Sequence, residues 1–288
     1  MVERFIHIEE VRGSNPLGST VNKCLICKDS DKYPLCKKCA KKPFLVERAR
    51  QILASISDLQ TLKKTYSTKY AEIKDLNTAS FWNKQMSGKA SFADQDGMTR
   101  DRVRAAFKFL PKNAKKILDI GAGHGLVEEF LSKNKNIKIF GNDISSAAVK
   151  DLRNKFKGKF VKESIYTMKY KKRSFNGIFM LEVLEHIPPG KVFKVLTKIK
   201  EIIKTKGSFI MSIPTNEGLD KKKDNLSGHV RTYTENLIRA ELKIAGFKVV
   251  KLKTFYAFKN LYTFKKISSN FFKKKWQPNS IVILAKPL

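Results

Sequence analysis

All four cysteines of the chain stand in one short stretch, "CLICKDSDKYPLCKKC", as Cys24, Cys27, Cys36 and Cys39. Two C-x2-C pairs can each present two thiolates to one tetrahedral Zn²⁺, so the spacing suits a structural zinc. Disulfides are the competing chemistry, and they belong to oxidising compartments. The N-terminus shows no apolar signal-peptide region, and no apolar run approaches the roughly 20 residues that span a bilayer. The chain therefore reads as cytoplasmic. With every thiol on zinc, none remains as a nucleophile for covalent catalysis. Proton transfer would fall to a histidine poised near neutral pH. There are four: His7, His124, His186 and His229. His7 lies in the leader and His124 inside a glycine loop, where it reads as filler. His186 in "LEHIPP" and His229 in "SGHVRTY" are the catalytic candidates, with bracing of its loop as the alternative for His186 and a solvated loop as the alternative for His229. Arg231 and Tyr233 read as lining an acceptor pocket together with His229.

The second concentration of chemistry is "ILDIGAGHGLVEEF", residues 117–130. Gly121, Gly123 and Gly125 form G-x-G-x-G, which brings backbone close to a ligand. The dinucleotide fingerprint wants Gly or Ala where Leu126 stands, and the Gly-Lys-Ser/Thr of a P-loop is missing. Glu128 and Glu129 would oppose a pyrophosphate in the first turn of the following helix. Asp119 precedes the glycines. Acids around such a loop suit a ligand with positive charge. Asp143 follows Gly121 by 22 residues, the spacing of a ribose-binding acid.

The chain carries 59 Lys and Arg against 26 Asp and Glu, a formal charge of +33. Such a balance favours an anionic partner, nucleic acid or membrane surface. Only 11 of the basic residues are Arg, the usual residue for bidentate recognition. A Lys-rich excess also reflects AT-rich codon usage, so the charge supports an anionic partner without naming one.

The elements that must position these groups begin after a leader. "RGSNPLGST" resembles a translated tRNA gene end, so residues 1–20 read as a leader without function, with a start near Val21; a disordered tail is the alternative. Residues 21–43 form the zinc knuckle. Residues 44–97 read as a helical connector, free of Pro and Gly over 44–76, followed by a polar lid in which Phe81 and Trp82 stand out. From Arg102 onward, apolar runs alternate with helical stretches. Strands are expected at 116–120, 137–142, 159–162, 175–181, 207–213, 247–254 and 280–286. Helices are expected at 101–110, 125–134, 145–156, 189–204 and 234–245. The alternation predicts an α/β domain with a doubly wound, mostly parallel seven-stranded sheet, and ligands at the carboxyl ends of its strands.

Residues 98–288 resemble the class I S-adenosylmethionine-dependent methyltransferases, and in particular the ubiquinone-biosynthesis-like (type 11) group. "LDIGAGHG" is similar to the family's first motif. The resemblance implies that Asp119, Gly121, Gly123 and Gly125 hold the methionine part of S-adenosylmethionine. In "GNDIS" it gives Asp143 the ribose hydroxyls, with Ile144 beside them. "LEVLEHIPP" matches the segment after the fourth strand, placing Glu182 on the cofactor pocket. "GHVRTYTENLIRAELKIAGFKVV" resembles the segment after the fifth strand. Two positions depart: Ser164 stands where the family has an Asp for the adenine amino group, and Phe175-Asn176 replaces Phe-Asp. The resemblance implies methyl transfer to oxygen or nitrogen of a small-molecule or lipid-linked acceptor. An RNA methyltransferase is the first alternative, and a non-catalytic binding module the second.

Residues 255–276, "FYAFKNLYTFKKISSNFFKKKW", mix aromatics with Lys between the last two strands. As one helix they would group Phe258, Leu261, Tyr262, Phe272 and Trp276 on one side, with Phe264, Ile267 and Phe271 on the other. Either the segment folds as a broken helix against the sheet, or one face packs while the other meets an anionic membrane surface or RNA bases.

Overall fold

The computed structural model describes Leu62 and residues 74–87, 93–215, 227–258, 261–271 and 276–288. Those from residue 74 on belong to one compact unit, Tyr66–Leu288. The expected leader, the zinc knuckle and, apart from Leu62, the connector up to residue 73 lie outside the described residues.

The sheet has seven strands: β1 (Lys116–Ile120), β2 (Lys138–Asp143), β3 (Lys159–Lys162), β4 (Phe175–Leu181), β5 (Ile203–Pro214), β6 (Phe247–Phe255) and β7 (Ser280–Pro287). Their spatial order is β3-β2-β1-β4-β5-β7-β6. β1 to β5 pair parallel, whereas β7 runs antiparallel to both β5 and β6. The sheet is thus mixed: it is mostly parallel, as expected, with β7 as the one reversed strand. An antiparallel neighbour needs no crossover to the far end of the sheet, so β7 can follow β6 directly and slot in beside β5.

Seven helices accompany the strands among the described residues: α1 (Ala79–Gln85), α2 (Gly97–Lys108), α3 (Glu128–Leu131), α4 (Ser146–Lys155), α5 (Val192–Ile202), α6 (Glu235–Ile244) and α7 (Tyr262–Phe271). The period of two along each strand sends alternate residues to opposite faces. In β1, Ile117 joins one core while Leu118 and Ile120 join the other; in β7, Val282 and Leu284 oppose Ile281 and Ile283. Ala106 of α2 and Leu152 of α4 fill the first core, and Leu196 of α5 and Leu242 of α6 the second. Burying each such Leu or Ile stabilises by about 1.5–3 kcal/mol, which is why the two-sided strands read as almost continuous apolar runs.

Helix ends differ from the sequence expectation where backbone chemistry intervenes. α2 starts at Gly97, ahead of the expected 101, because the Asp96 carboxylate accepts the Thr99 amide at 3.0 Å and its hydroxyl at 2.6 Å. α3 spans four residues and not the expected 125–134, because Gly125 sits at φ 80°, outside helical space. β5 begins at Ile203, four residues early, since Phe175 of β4 pairs with Ile203 across a bulge; it follows α5 with no loop.

Candidate functional site

A cleft of about 440 Å³ opens where β1, β2 and β4 end, within the size range of small-ligand sites. Asp119, Gly121, Gly123, Asp143, Ile144, Ser164, Glu182, His186 and His229 all line it. One expected residue does not. Gly125 is a packing glycine: a Cβ there would meet Phe156 Cε2 at 2.5 Å and Leu152 Cδ2 at 2.9 Å. Cys24, Cys27, Cys36 and Cys39 lie outside the described residues.

One end of the cleft is built from the ends of β1 and β2. Gly121 and Gly123 have φ of 69° and 51°, which favours glycine. A Cβ on Gly123 would find nothing closer than Met86 Sδ at 3.8 Å, so the loop leaves open space above its backbone. Asp143 is held by the loop it faces: its Oδ2 accepts the Gly123 amide at 3.0 Å and its Oδ1 the Ser145 amide at 2.8 Å. Burial nevertheless raises its pKa against those bonds. Asp119 is deeper, and burial together with the Asp143 charge pushes its pKa up to about 7. Behind it Glu128 is fully buried, and neither of its oxygens meets a protein donor. Its partner is the Asp119 carboxyl, so burial and that neighbour hold Glu128 well above the ordinary carboxylate range. Two facing carboxyls without a cation share a proton. Asn142, also in the wall, keeps a buried Oδ1 without a donor.

In a chain so rich in lysine, no Lys appears among the described lining residues; the cation there is Arg102, paired with Glu182 at 2.9 Å. Glu182 also accepts the Ser212 hydroxyl at 2.8 Å and sits at φ 54°, a strained backbone for a non-glycine residue. This end is rich in acceptors and poor in cations. It fits a ligand bearing positive charge and hydroxyl donors, and it repels phosphate.

The other end gathers residues from three distant segments. His186 follows β4, and its Nδ1 lies 3.1 Å from the Gly228 carbonyl. Because a carbonyl only accepts, Nδ1 carries the hydrogen, and Nε2 is the basic position of the neutral ring. The Trp82 ring meets His186 edge-on at 4.8 Å, and the His229 ring also lies 4.8 Å from it. Trp82 arrives on α1, which Asn83 ties down by accepting from the Ser145 and Ser146 hydroxyls at 3.0 and 3.1 Å. Asn77 donates to the Gly228 carbonyl at 2.8 Å. Trp82, from the segment expected to form a lid, thus lines the cleft.

Arg231 and Tyr233 were expected beside His229 in the pocket and are instead fully buried away from it. The Arg231 fork donates to the Ile187 carbonyl at 2.8 Å, the Leu184 carbonyl at 2.7 Å and Glu241 Oε1 at 2.6 Å. Tyr233 closes the cluster on Glu241 Oε2 at 3.0 Å. A guanidinium so occupied is a clamp on the loop bearing His186, not a ligand group. His124 lines the cleft beside Asp143. Ser164 accepts the Tyr166 amide at 3.3 Å, while Asn176 lies at the opposite end of its strand, accepting the Lys116 amide at 3.1 Å. Arg102, Asn77 and the buried role of Glu128 were missed in the sequence. For the first two nothing local signals them; for Glu128 the acidic pair was visible but not which acid turns inward.

The profile of a methyltransferase domain matches residues 92–252 of the chain. Solved structures share the fold at low identity. A SAM-dependent methyltransferase from Archaeoglobus fulgidus is 21% identical over 68% of this chain and 96% of its own, with a TM-score of 0.52. A Haloferax volcanii complex of a methyltransferase with the Trm112 methyltransferase activator matches at 14% identity, 74% and 97% coverage and a TM-score of 0.54. The 1,6-didemethyltoxoflavin-N1-methyltransferase of Burkholderia thailandensis, bound to 1,6-didemethyltoxoflavin and S-adenosylhomocysteine, matches at 17% identity, 75% and 91% coverage and a TM-score of 0.52. No curated protein matches the chain significantly.

Proposed function

Because the chain belongs to the methyltransferase domain family and is an S-adenosylmethionine-dependent methyltransferase, we propose that it methylates an oxygen or nitrogen of a small-molecule or lipid-linked acceptor. The observation that carries this is the division of the cleft into an acid-lined end without Lys and an end where His186 and His229 meet. S-adenosylmethionine supplies an electrophilic methyl group on a cationic sulfur. Asp119, the Gly121–Gly123 backbone and the unpartnered Asn142 Oδ1 would hold it at the acid-lined end, with Asp143 on its ribose and Ile144 and Ser164 beside the base. Glu182 and Arg102 fix the wall between the two ends.

What the chain itself contributes to the reaction is alignment and a base. In-line displacement gains most from positioning, and Trp82 of α1 lines the cleft beside His186. His186, its Nδ1 hydrogen pinned on Gly228 and its Nε2 3.9 Å from Glu185 Oε1, would take the acceptor proton at Nε2 as the new bond forms, with His229 against its ring. Substituting His186 with Gln should lower turnover by about 10²–10⁴-fold with little change in cofactor affinity.

RNA is the second reading, carried by a different observation. At the amino ends of the strands Lys116 lies among Lys204, Lys159, Lys138 and Lys171, and burial together with these neighbours holds its pKa below the ordinary lysine range. Like charges gathered this way suit phosphates. Incubating cell extracts with the protein and methyl-labelled cofactor, then separating RNA, lipid and small-molecule fractions, decides. Label in the lipid or small-molecule fraction supports the proposal, and label in RNA replaces it. No transfer despite cofactor binding would leave a binding module. The four cysteines keep their proposed structural zinc on the chemistry of the donor set alone, and one zinc per purified chain is the expected metal content.

A further inference from the structure

The helix α7 packs with one face and leaves the other in water. Tyr262 donates to Asp101 Oδ2 of α2 at 2.8 Å, and Lys266 pairs with the same carboxylate. The Tyr262 ring lies against Gly97, where even a Cβ would come within 2.6 Å of it. Ser269, one turn on, is 4% exposed. Positions 262, 266 and 269 thus lock one side of the helix against the domain. On the other side Leu261 is 71% exposed, Phe264 70% and Ile267 56%. Phe264 and Ile267, three residues apart, share one side of the helix, and Leu261 stands exposed just before it. They make up most of the exposed large hydrophobic residues among those described, the others being Val250 and Leu288. Leu261 also adopts φ 54°, a left-handed backbone uncommon for Leu, directly before the helix begins.

Charge identifies what could cover this ridge. From residue 242 to the end the chain has 11 Lys and no acid. Along α7, Lys265 and Lys266 stand between Phe264 and Ile267, so cations flank the ridge. A second copy of a chain with formal charge +33 would bring like charges together, and three side chains fall well short of the roughly 1,200 Å² that specific interfaces bury. RNA binding by stacking needs aromatic platforms, and here two of the three exposed side chains are aliphatic. Aliphatic and aromatic residues on one side of a helix with Lys beside them match an interfacial helix. Among the described residues no helix is long and apolar enough to cross a membrane, so the contact concerned is peripheral.

We propose that α7 docks the protein on an anionic membrane surface, with Leu261, Phe264 and Ile267 entering the boundary of headgroups and acyl chains and Lys265 meeting lipid phosphates. This does not depend on which acceptor is methylated. The test is flotation of the full-length protein with phosphatidylcholine vesicles, with and without 30% phosphatidylglycerol (about that fraction suffices to create an attractive surface potential). Binding to the anionic vesicles only is expected. The double variant Phe264→Asp with Ile267→Asp should weaken it by at least about tenfold, because a charge at the acyl boundary opposes insertion. Melting temperature and S-adenosylhomocysteine affinity should stay unchanged. Absence of wild-type binding, or equal binding to neutral vesicles, overturns the proposal. A variant that binds vesicles as wild type does also overturns it. Loss of melting temperature or of a dimer in the variant would show that the face is covered by protein, and loss of RNA binding alone would assign it to RNA.

Discussion

The two ends of the cleft are built in opposite ways. The acid-lined end comes mainly from residues 119–165, a run in which each strand hands its last residues to the next loop, with the Arg102–Glu182 pair at its border, and its key contacts close over short distances: Asp143 on the Gly123 and Ser145 amides. The histidine end is assembled from residues 77–86, 183–187 and 227–229, joined by long-range contacts such as Asn77 to Gly228 and Trp82 to His186. The difference implies separable vulnerabilities. Damage at the acid-lined end should remove cofactor affinity, whereas damage at the other should release the acceptor loops.

The largest effect is expected at the clamp. Arg231→Met leaves Glu241 buried without its cation, and breaking a buried pair this way costs about 3–5 kcal/mol, measurable by urea unfolding. Adding Glu241→Leu should recover much of that loss. If Arg231→Met costs less than about 1 kcal/mol, as an exposed pair would, the histidine end is not held by this cluster and the contrast weakens.

Asp143→Ala strikes the opposite end. Charge-assisted hydrogen bonds contribute roughly 1.5–3 kcal/mol, so affinity for S-adenosylmethionine should fall about 10- to 100-fold by calorimetry while the sheet stays folded. Unchanged affinity would remove Asp143 from the ribose role.

A smaller effect separates the ends from each other. Trp82→Ala deletes the edge-on contacts to Phe81 and His186, each worth about 0.5–1.5 kcal/mol. The acceptor KM should rise several-fold with cofactor affinity retained. A matching loss of cofactor affinity would mean that α1 serves both ends alike.

The mildest prediction concerns the shared proton. Asp119 has a folded pKa near 7 against an ordinary value of 3.8, so between those values the folded protein binds more protons than the unfolded chain. The contribution of this pair to the stability of the ligand-free protein should therefore be fully present below the ordinary carboxylate pKa and be lost as pH rises through 7. Glu128→Gln removes one member of the pair and should flatten the melting temperature between pH 5 and 8. A cationic cofactor favours the ionised pair, so its affinity should rise over the same interval. A wild-type melting temperature independent of pH would sink the shared-proton account.

The exposed ridge of α7 shows where sequence periodicity stops being informative. A continuous helix would have put Leu261 on the side of Tyr262, yet the helix starts at Tyr262 and Leu261 turns outward at φ 54°. Phe264 and Ile267 do share a side, as the spacing implied, and which side meets the domain was settled by Asp101, 161 residues away from Tyr262.

The amino-acid sequence by itself determined the seven strands, because short apolar or alternating runs separated by helical stretches mark them, and it determined the glycine loop, because φ of 51° to 69° at Gly123 and Gly121 favours a residue without Cβ. It likewise determined Asp143, whose distance from the loop is fixed by one strand-helix-strand unit. Tertiary structure alone decided that β7 slots antiparallel beside β5, that Arg231 clamps carbonyls 44 and 47 residues away, and that Glu128 turns inward to Asp119 while Glu129 stays partly exposed. Local spacing encodes backbone geometry and the side a residue faces. Which distant group it meets there depends on how the elements pack, and no short stretch of sequence contains that.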